Sequence, residues 1–127
     1  MSYKYLIDSS AWLEYSIASS KGLSVKDIIE NEMIATSVLA IAELADRFER
    51  DNKSFEQFLL FIQSRAAILP LTIDICIQAA KTKKIKRAKY PKFRLADAIH
   101  LTTSIKEGAI FITADNDFRN ETNVMMI

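Results

Sequence analysis

The sequence predicts an α/β fold, a three-layer α/β/α sandwich with a mainly parallel central sheet. Three observations carry this. Apolar runs of about five residues alternate with longer stretches of helical periodicity. The late run Ala109, Ile110, Phe111, Ile112, Thr113 is nearly all apolar, as in a strand covered on both faces. Good capping residues stand between the runs, and Gly108 follows a predicted helix end where a left-handed residue is needed.

Taken in order, residues 3–7 form a buried first strand that ends at Asp8, Ser9 and Ser10, a turn able to cap the next helix. Residues 11–17 read as a short helix whose Trp12 and Tyr15 serve as core or dimer-contact aromatics. After Gly22, Ser24 and Asp27 have capping-box spacing and open a helix carrying Val25, Ile28 and Ile29. Residues 33–36 are a second strand, and Ser37 caps a helix running to about Asp51 with Leu39, Ala42 and Phe48 at helical spacing. Ser54 and Gln57 form another capping box, opening a helix with Phe55, Phe58, Leu59 and Ile62 on its apolar face.

Residues 67–71 are a third strand, which Pro70 assigns to a sheet edge or strand end. Thr72 caps a helix that begins apolar, turns strongly basic at Lys81 and stops at Pro91. Residues 95–107 form a helix with Leu95, Ile99, Leu101 and Ile105 as its apolar surface. Residues 109–113 are then a central strand, and 124–127 a final edge strand.

Composition bounds the answer. A chain of 127 residues, half of them hydrophobic and about a quarter charged, fits one globular domain, residues 1–127. Cys76, the single cysteine, excludes an internal disulfide; among Ile73, Ile75 and Ile77 it reads as a buried small hydrophobe. The N-terminus carries no signal-peptide pattern and no apolar run reaches the ~20 residues of a membrane span, so a cytoplasmic location is expected. The net charge of +1 conceals a one-signed segment: residues 81–94 hold eight Lys or Arg and no acid.

Chemistry is carried by the acids. Asp8 follows the first strand, Glu43 lies in a helix among small and apolar residues, Asp97 starts a helix, and Asp115 with Asp117 follows the late strand. Strand ends and helix starts on one edge of a parallel sheet line a common crevice. Carboxylates gathered there repel one another unless a cation sits between them. An oxygen-rich set suits Mg²⁺ or Mn²⁺, ions that hydrolyse phosphodiesters by polarising the phosphoryl group and activating water. Asp46, Glu49 and Asp51 read as solvated charges; singly, Asp8 or Asp115 is equally a helix cap, and Glu43 a partner for Arg47.

YLIDSSAW, TSVLAIAEL, RLADAIHLTTS and FITADNDF, in this order, resemble the four acidic motifs of the PIN domain, and the chain's size resembles the VapC-type toxins of toxin–antitoxin systems. The resemblance spans essentially the whole chain. It implies a PIN-like fold and a Mg²⁺- or Mn²⁺-dependent ribonuclease, often dimeric, held inactive by a small antitoxin protein. On the family pattern Asp8, Glu43, Asp97 and Asp115 match the metal-binding acids, Asp117 an auxiliary position, and Ser9 and Thr113 the small hydroxyl positions beside them.

Lys89, Lys92 and Arg94 are the expected RNA contacts, because the basic segment leads directly into Asp97 and an acidic site needs help attracting a polyanion. The same surface is one an antitoxin could cover. His100, three residues after Asp97, has two readings, a proton carrier facing the crevice and a packing residue, and the second is preferred since a metal-activated water needs no histidine base. The competing readings are a PIN-like RNA- or protein-binding module with weak catalysis and a stand-alone RNA-processing nuclease. A phosphatase would want an Asp where Ser10 stands, and a phosphoreceiver a Lys after the late strand.

Overall fold

The computed structural model describes residues 2–127; Met1 lies outside the described residues. Among the described residues the strands are β1 (Tyr5–Ile7), β2 (Ile34–Ser37), β3 (Ala66–Leu69), β4 (Ile110–Thr113) and β5 (Val124–Met126). The helices are α1 (Ser9–Ser16), α2 (Ser20–Asn31), α3 (Val38–Arg50), α4 (Glu56–Arg65), α5 (Ile73–Arg87) and α6 (Leu95–Glu107), with a 3₁₀ turn at Asn116–Phe118. The sheet order is β3-β2-β1-β4-β5 and every pairing is parallel. The chain steps outward from β1 to β3, then crosses back to β4 and β5. That reversal makes the C-terminal ends of β1 and β4 the switch point, where open α/β sheets form their ligand crevice.

Alternation along the strands splits the core in two. Tyr5 and Ile7 of β1 and Ile112 of β4 pack with Trp12, Val25, Ile29, Leu44, Phe48 and Ile62 from α1 to α4. Leu6 and Phe111 face the other way, onto Ala79 of α5, Ala98 and Leu101 of α6, and Phe93 and Phe118. Strands buried on both faces account for the apolar runs. Trp12 is fully buried, and its indole N–H donates to Thr36 Oγ1 at 3.1 Å, whose hydroxyl in turn donates to the Ile7 carbonyl at 2.7 Å. Among the described residues no helix is long and apolar enough to cross a membrane.

Several elements form as the sequence predicts. Ser37 and Thr72 cap α3 and α5 by accepting from the Ala40 and Ile75 amides. Gly108 ends α6 at φ 62°, and β3 and β5 are the two sheet edges. α5 ends at Arg87, short of Pro91, and β4 lies one strand in from the edge rather than at the centre.

Other expectations are corrected. α2 is capped by Ser19, which accepts from the Gly22 amide at 3.0 Å; Ser24 sits inside the helix and donates to the Lys21 carbonyl. The left-handed Ala18 (φ 51°) turns the chain at the end of α1, so α2 starts at Ser20, a full turn ahead of Ser24. Ser54 caps nothing either, because Phe55 occupies the cap position of α4 with its ring packed on Phe48. Cys76 is exposed: the inner face of α5 is narrow, Ile75 and Ala79, and Cys76, Ile73 and Ile77 point outward. On α6 Leu95 and Ile105 are exposed, since the helix turns Asp97, Ala98, His100, Leu101 and Ser104 inward.

Candidate metal centre

Each expected acid is delivered by a different local device. Asp8 follows β1 and stands at the N-cap of α1, yet its carboxylate makes no cap bond. Instead Oδ2 accepts from Thr113 Oγ1 at 2.7 Å and from Ser10 Oγ at 2.8 Å. Thr113 Oγ1 also accepts from the Asp115 amide, and Ser10 Oγ from the Ala114 amide, both at 2.9 Å. The ends of β1 and β4 are thereby laced together around a buried carboxylate, and the helix-cap reading of Asp8 is not realised.

Asp97 is buried at the third position of α6. Its Oδ2 accepts from the Arg94 amide at 2.9 Å, a one-way bond that fixes the carboxylate at the helix mouth. Asp115 follows β4 and caps the 3₁₀ turn by accepting from the Asp117 amide at 2.9 Å. Arg94 spans these acids, with a terminal nitrogen 3.4 Å from Asp97 Oδ1 and 3.9 Å from Asp115 Oδ2. Their charges, Asp97 first, hold its guanidinium more firmly protonated than usual.

Glu43 reaches the crevice from α3. Its Oε1 accepts from Ser9 Oγ at 3.1 Å and bonds His100 Nε2 at 2.7 Å. Arg47 ignores it and pairs with Asp51 at 3.0 Å. Burial would raise the Glu43 carboxyl, but the hydrogen bond and charge of His100, with Ser9 and Arg94 assisting, hold it below the ordinary value. His100 is the residue that sequence reasoning set aside. It stacks on Phe111 at 5.6 Å, so it does pack, yet Nε2 also lies 3.7 Å from Asp8 Oδ1. Burial opposes its charging; the bond to Glu43 and the charges of Asp8, Glu43 and Asp97 outweigh it and raise its pKa, while Nδ1 has no partner.

The acids therefore gather as two adjoining groups. Asp97, Asp115 and Asp117 each offer an oxygen within 4.8 Å of the others, and an oxygen each from Asp8 and Glu43 with a ring nitrogen of His100 make a second such group. Asp117 is exposed, and burial together with the Asp115 and Asp97 charges raises its carboxyl. The first group is all oxygen, the donor chemistry of a hard divalent ion, and the Arg94 guanidinium stands in there for positive charge. His100 Nε2 is already engaged by Glu43 Oε1 at 2.7 Å, so the oxygens are what the crevice offers most openly. The oxygen set thus fits a hard divalent cation.

The basic segment divides. Lys86 pairs with Glu121 and Arg87 donates to the Phe93 carbonyl, so both are used by the fold. Lys89 and Lys92 are exposed and edge a hollow with Tyr90, Asn116, Asp117 and Asn120 beside the acids. Ser10 and His100 are the site residues that the sequence did not nominate. His100's position three after Asp97, on the same helix face, was its available signal.

The PIN domain family model matches residues 5–121. Among curated proteins none matches. Among solved structures, a toxin–antitoxin complex from Klebsiella pneumoniae is similar at TM-score 0.73 and 20% identity, covering 97% of each chain. VapC20 of Mycobacterium tuberculosis, described as a sarcin-ricin loop cleaving toxin, aligns at 0.72 and 16%, covering 94% of this chain and 95% of that one. DNA-bound VapBC from Salmonella typhimurium aligns at 0.70 and 14%, covering 98% and 97%. At these identities the likeness is one of fold, with a parallel five-stranded sheet flanked by helices. With nearly its whole length matched by the family model, the chain belongs to the PIN domain family.

Proposed function

We propose that the chain is a Mg²⁺- or Mn²⁺-dependent endoribonuclease, the toxin of a type II toxin–antitoxin pair, working in the cytoplasm as a single-domain homodimer and held inactive by a small antitoxin protein. The observation that supports this is that Asp8, Glu43, Asp97 and Asp115, from four segments, fall in two neighbouring acidic groups at the switch-point crevice, with Arg94 reaching Asp97 and Asp115. Family membership and structural neighbours described as toxins and toxin–antitoxin complexes support the same reading.

Asp8, Glu43, Asp97 and Asp115 would hold the ion, with Asp117 as auxiliary. Bound there, a divalent cation supplies polarisation of the phosphoryl group and a nucleophilic water for in-line attack, leaving a 5′-phosphate. The chain's own residues prepare the place. Thr113 and Ser10 hold Asp8 in one rotamer, and Ser9 and His100 do the same for Glu43. Arg94, Lys89 and Lys92 offset the negative field that would otherwise repel RNA.

Purified protein with Mn²⁺ should cleave RNA, and Asp97→Asn should lose at least about a hundredfold in rate while keeping its fold by circular dichroism. Cleavage that survives the substitution would sink the site assignment. RNA binding without turnover, equal with and without metal, would favour a binding module.

A further inference from the structure

Beyond the carboxylates, α3 carries Glu43, Arg47 and Arg50 at positions i, i+4 and i+7, a single helix face. At 1.5 Å of rise per residue the two arginines lie about 6 and 10 Å along the helix from Glu43. That face borders a groove of about 330 Å³ whose inner wall is Ser9, Ser10 and Glu43 and whose cationic rim is Arg47, Arg50 and Arg94. The groove opens at its inner end onto the acids, since Ser10 and Glu43 belong to both.

The arginines are available to a ligand. Arg47 pairs with Asp51 and Arg50 with Asp46, each through Nε and each between exposed side chains. Exposed i,i+4 pairs of this kind contribute little and yield readily to a better partner. A guanidinium has further donors in a planar fork that matches phosphate. Asp46 also lines the groove, so the rim attracts an anion only through the arginines' outward donors.

We infer that this groove is a phosphate subsite for single-stranded RNA: Arg47 and Arg50 hold backbone phosphates on one side of the scissile linkage. The inference rests on the nuclease reading and deepens it. Lys89 and Lys92 edge a separate hollow that includes Asp117, so each of the two hollows that reach the acids carries basic residues. Arg47 and Arg50 are positioning residues here, since neither touches the reacting centre.

The test is fluorescence anisotropy of a labelled single-stranded RNA of about 12 nucleotides with the full chain in EDTA, across a salt series. Arg47→Gln/Arg50→Gln, altering two exposed side chains, should weaken binding about tenfold at low salt. It should also reduce the salt slope by about 1.4, at about 0.7 for each single-strand phosphate that is no longer neutralised. Lys21→Gln/Lys26→Gln on α2 should leave both unchanged. In Mn²⁺ turnover the arginine variant should raise KM with kcat retained. If the wild type binds and cleaves RNA but the variant matches it in affinity, slope and KM, the subsite is overturned and the arginines are left to a protein partner. If the wild type neither binds nor cleaves, the nuclease reading falls with it.

Discussion

His100 Nε2 lies 2.7 Å from Glu43 Oε1, and the two residues come from helices on opposite sides of the sheet. Glu43 rides on α3, packed with the α1–α4 layer, and His100 on α6, packed with the other. The bond therefore closes the sandwich over the C-terminal ends of β1 and β4. It also couples two titrations, because the imidazole is raised by the carboxylates around it and the Glu43 carboxyl is lowered by the imidazole.

The metal-free protein should accordingly show a stability plateau between the unfolded values of 4.5 for Glu43 and 6.5 for His100. Below it, Glu43's contribution fades as pH falls through its lowered folded pKa; above it, that of His100 fades as pH rises through its raised one. The loss on each side is about 1 kcal/mol, below the ~1.5–3 kcal/mol of charged hydrogen bonds because solvent screens the partly exposed Glu43. His100 is the single histidine, so its proton NMR titration is unambiguous. It should lie above 6.5 in the wild type and drop in Glu43→Gln; a wild-type midpoint at or below 6.5 would contradict the coupling.

Sequence legibility followed the range of the interactions. The α6 boundaries, the Gly108 turn and the Ser37 and Thr72 caps depend on neighbours within a few residues, and all were readable. Asp8, Asp97 and Asp115 were readable as oxygen donors at strand and helix ends and Glu43 as an acid among apolar neighbours, and the structure places them in two neighbouring groups. Their division into two groups, and the seat of His100 between Asp8 and Glu43, depend on how α3 and α6 approach across the sheet. Ser54 failed as a cap because the Phe55–Phe48 ring contact sets that start, whereas Ser24 failed for a local reason, since the turn at Ala18 makes Ser19 the cap. Cys76 was misjudged because apolar neighbours in sequence do not share a helix face.

Gly22 lies where α2 approaches the backbone of α1 closely. A Cβ there would sit 2.1 Å from the Glu14 carbonyl oxygen, which is backbone and cannot step aside. Gly22→Ala should cost about 3 kcal/mol or more, beyond its small gain in helix propensity. Urea unfolding followed by Trp12 fluorescence measures it, and a midpoint equal to wild type would show that the two helices can separate freely.

Arg94 offers the sharpest separation between holding metal and holding RNA. Its guanidinium lies 3.4 Å from Asp97 and 3.9 Å from Asp115, where a divalent ion would be bound, so loading the site means displacing it. Its side chain is 63% exposed, and a pair of that kind is worth at most about 1 kcal/mol, or roughly fivefold in affinity. Arg94→Gln should therefore bind Mn²⁺ up to about fivefold more tightly by titration calorimetry. The same change should weaken RNA binding, raising KM and lowering the salt slope by about 0.7, the share of one neutralised phosphate. Opposite signs in the two assays distinguish a counter-ion that yields to metal from a residue needed for metal binding. A loss of Mn²⁺ affinity in Arg94→Gln would mean that the guanidinium organises Asp97 and Asp115 rather than competing for them.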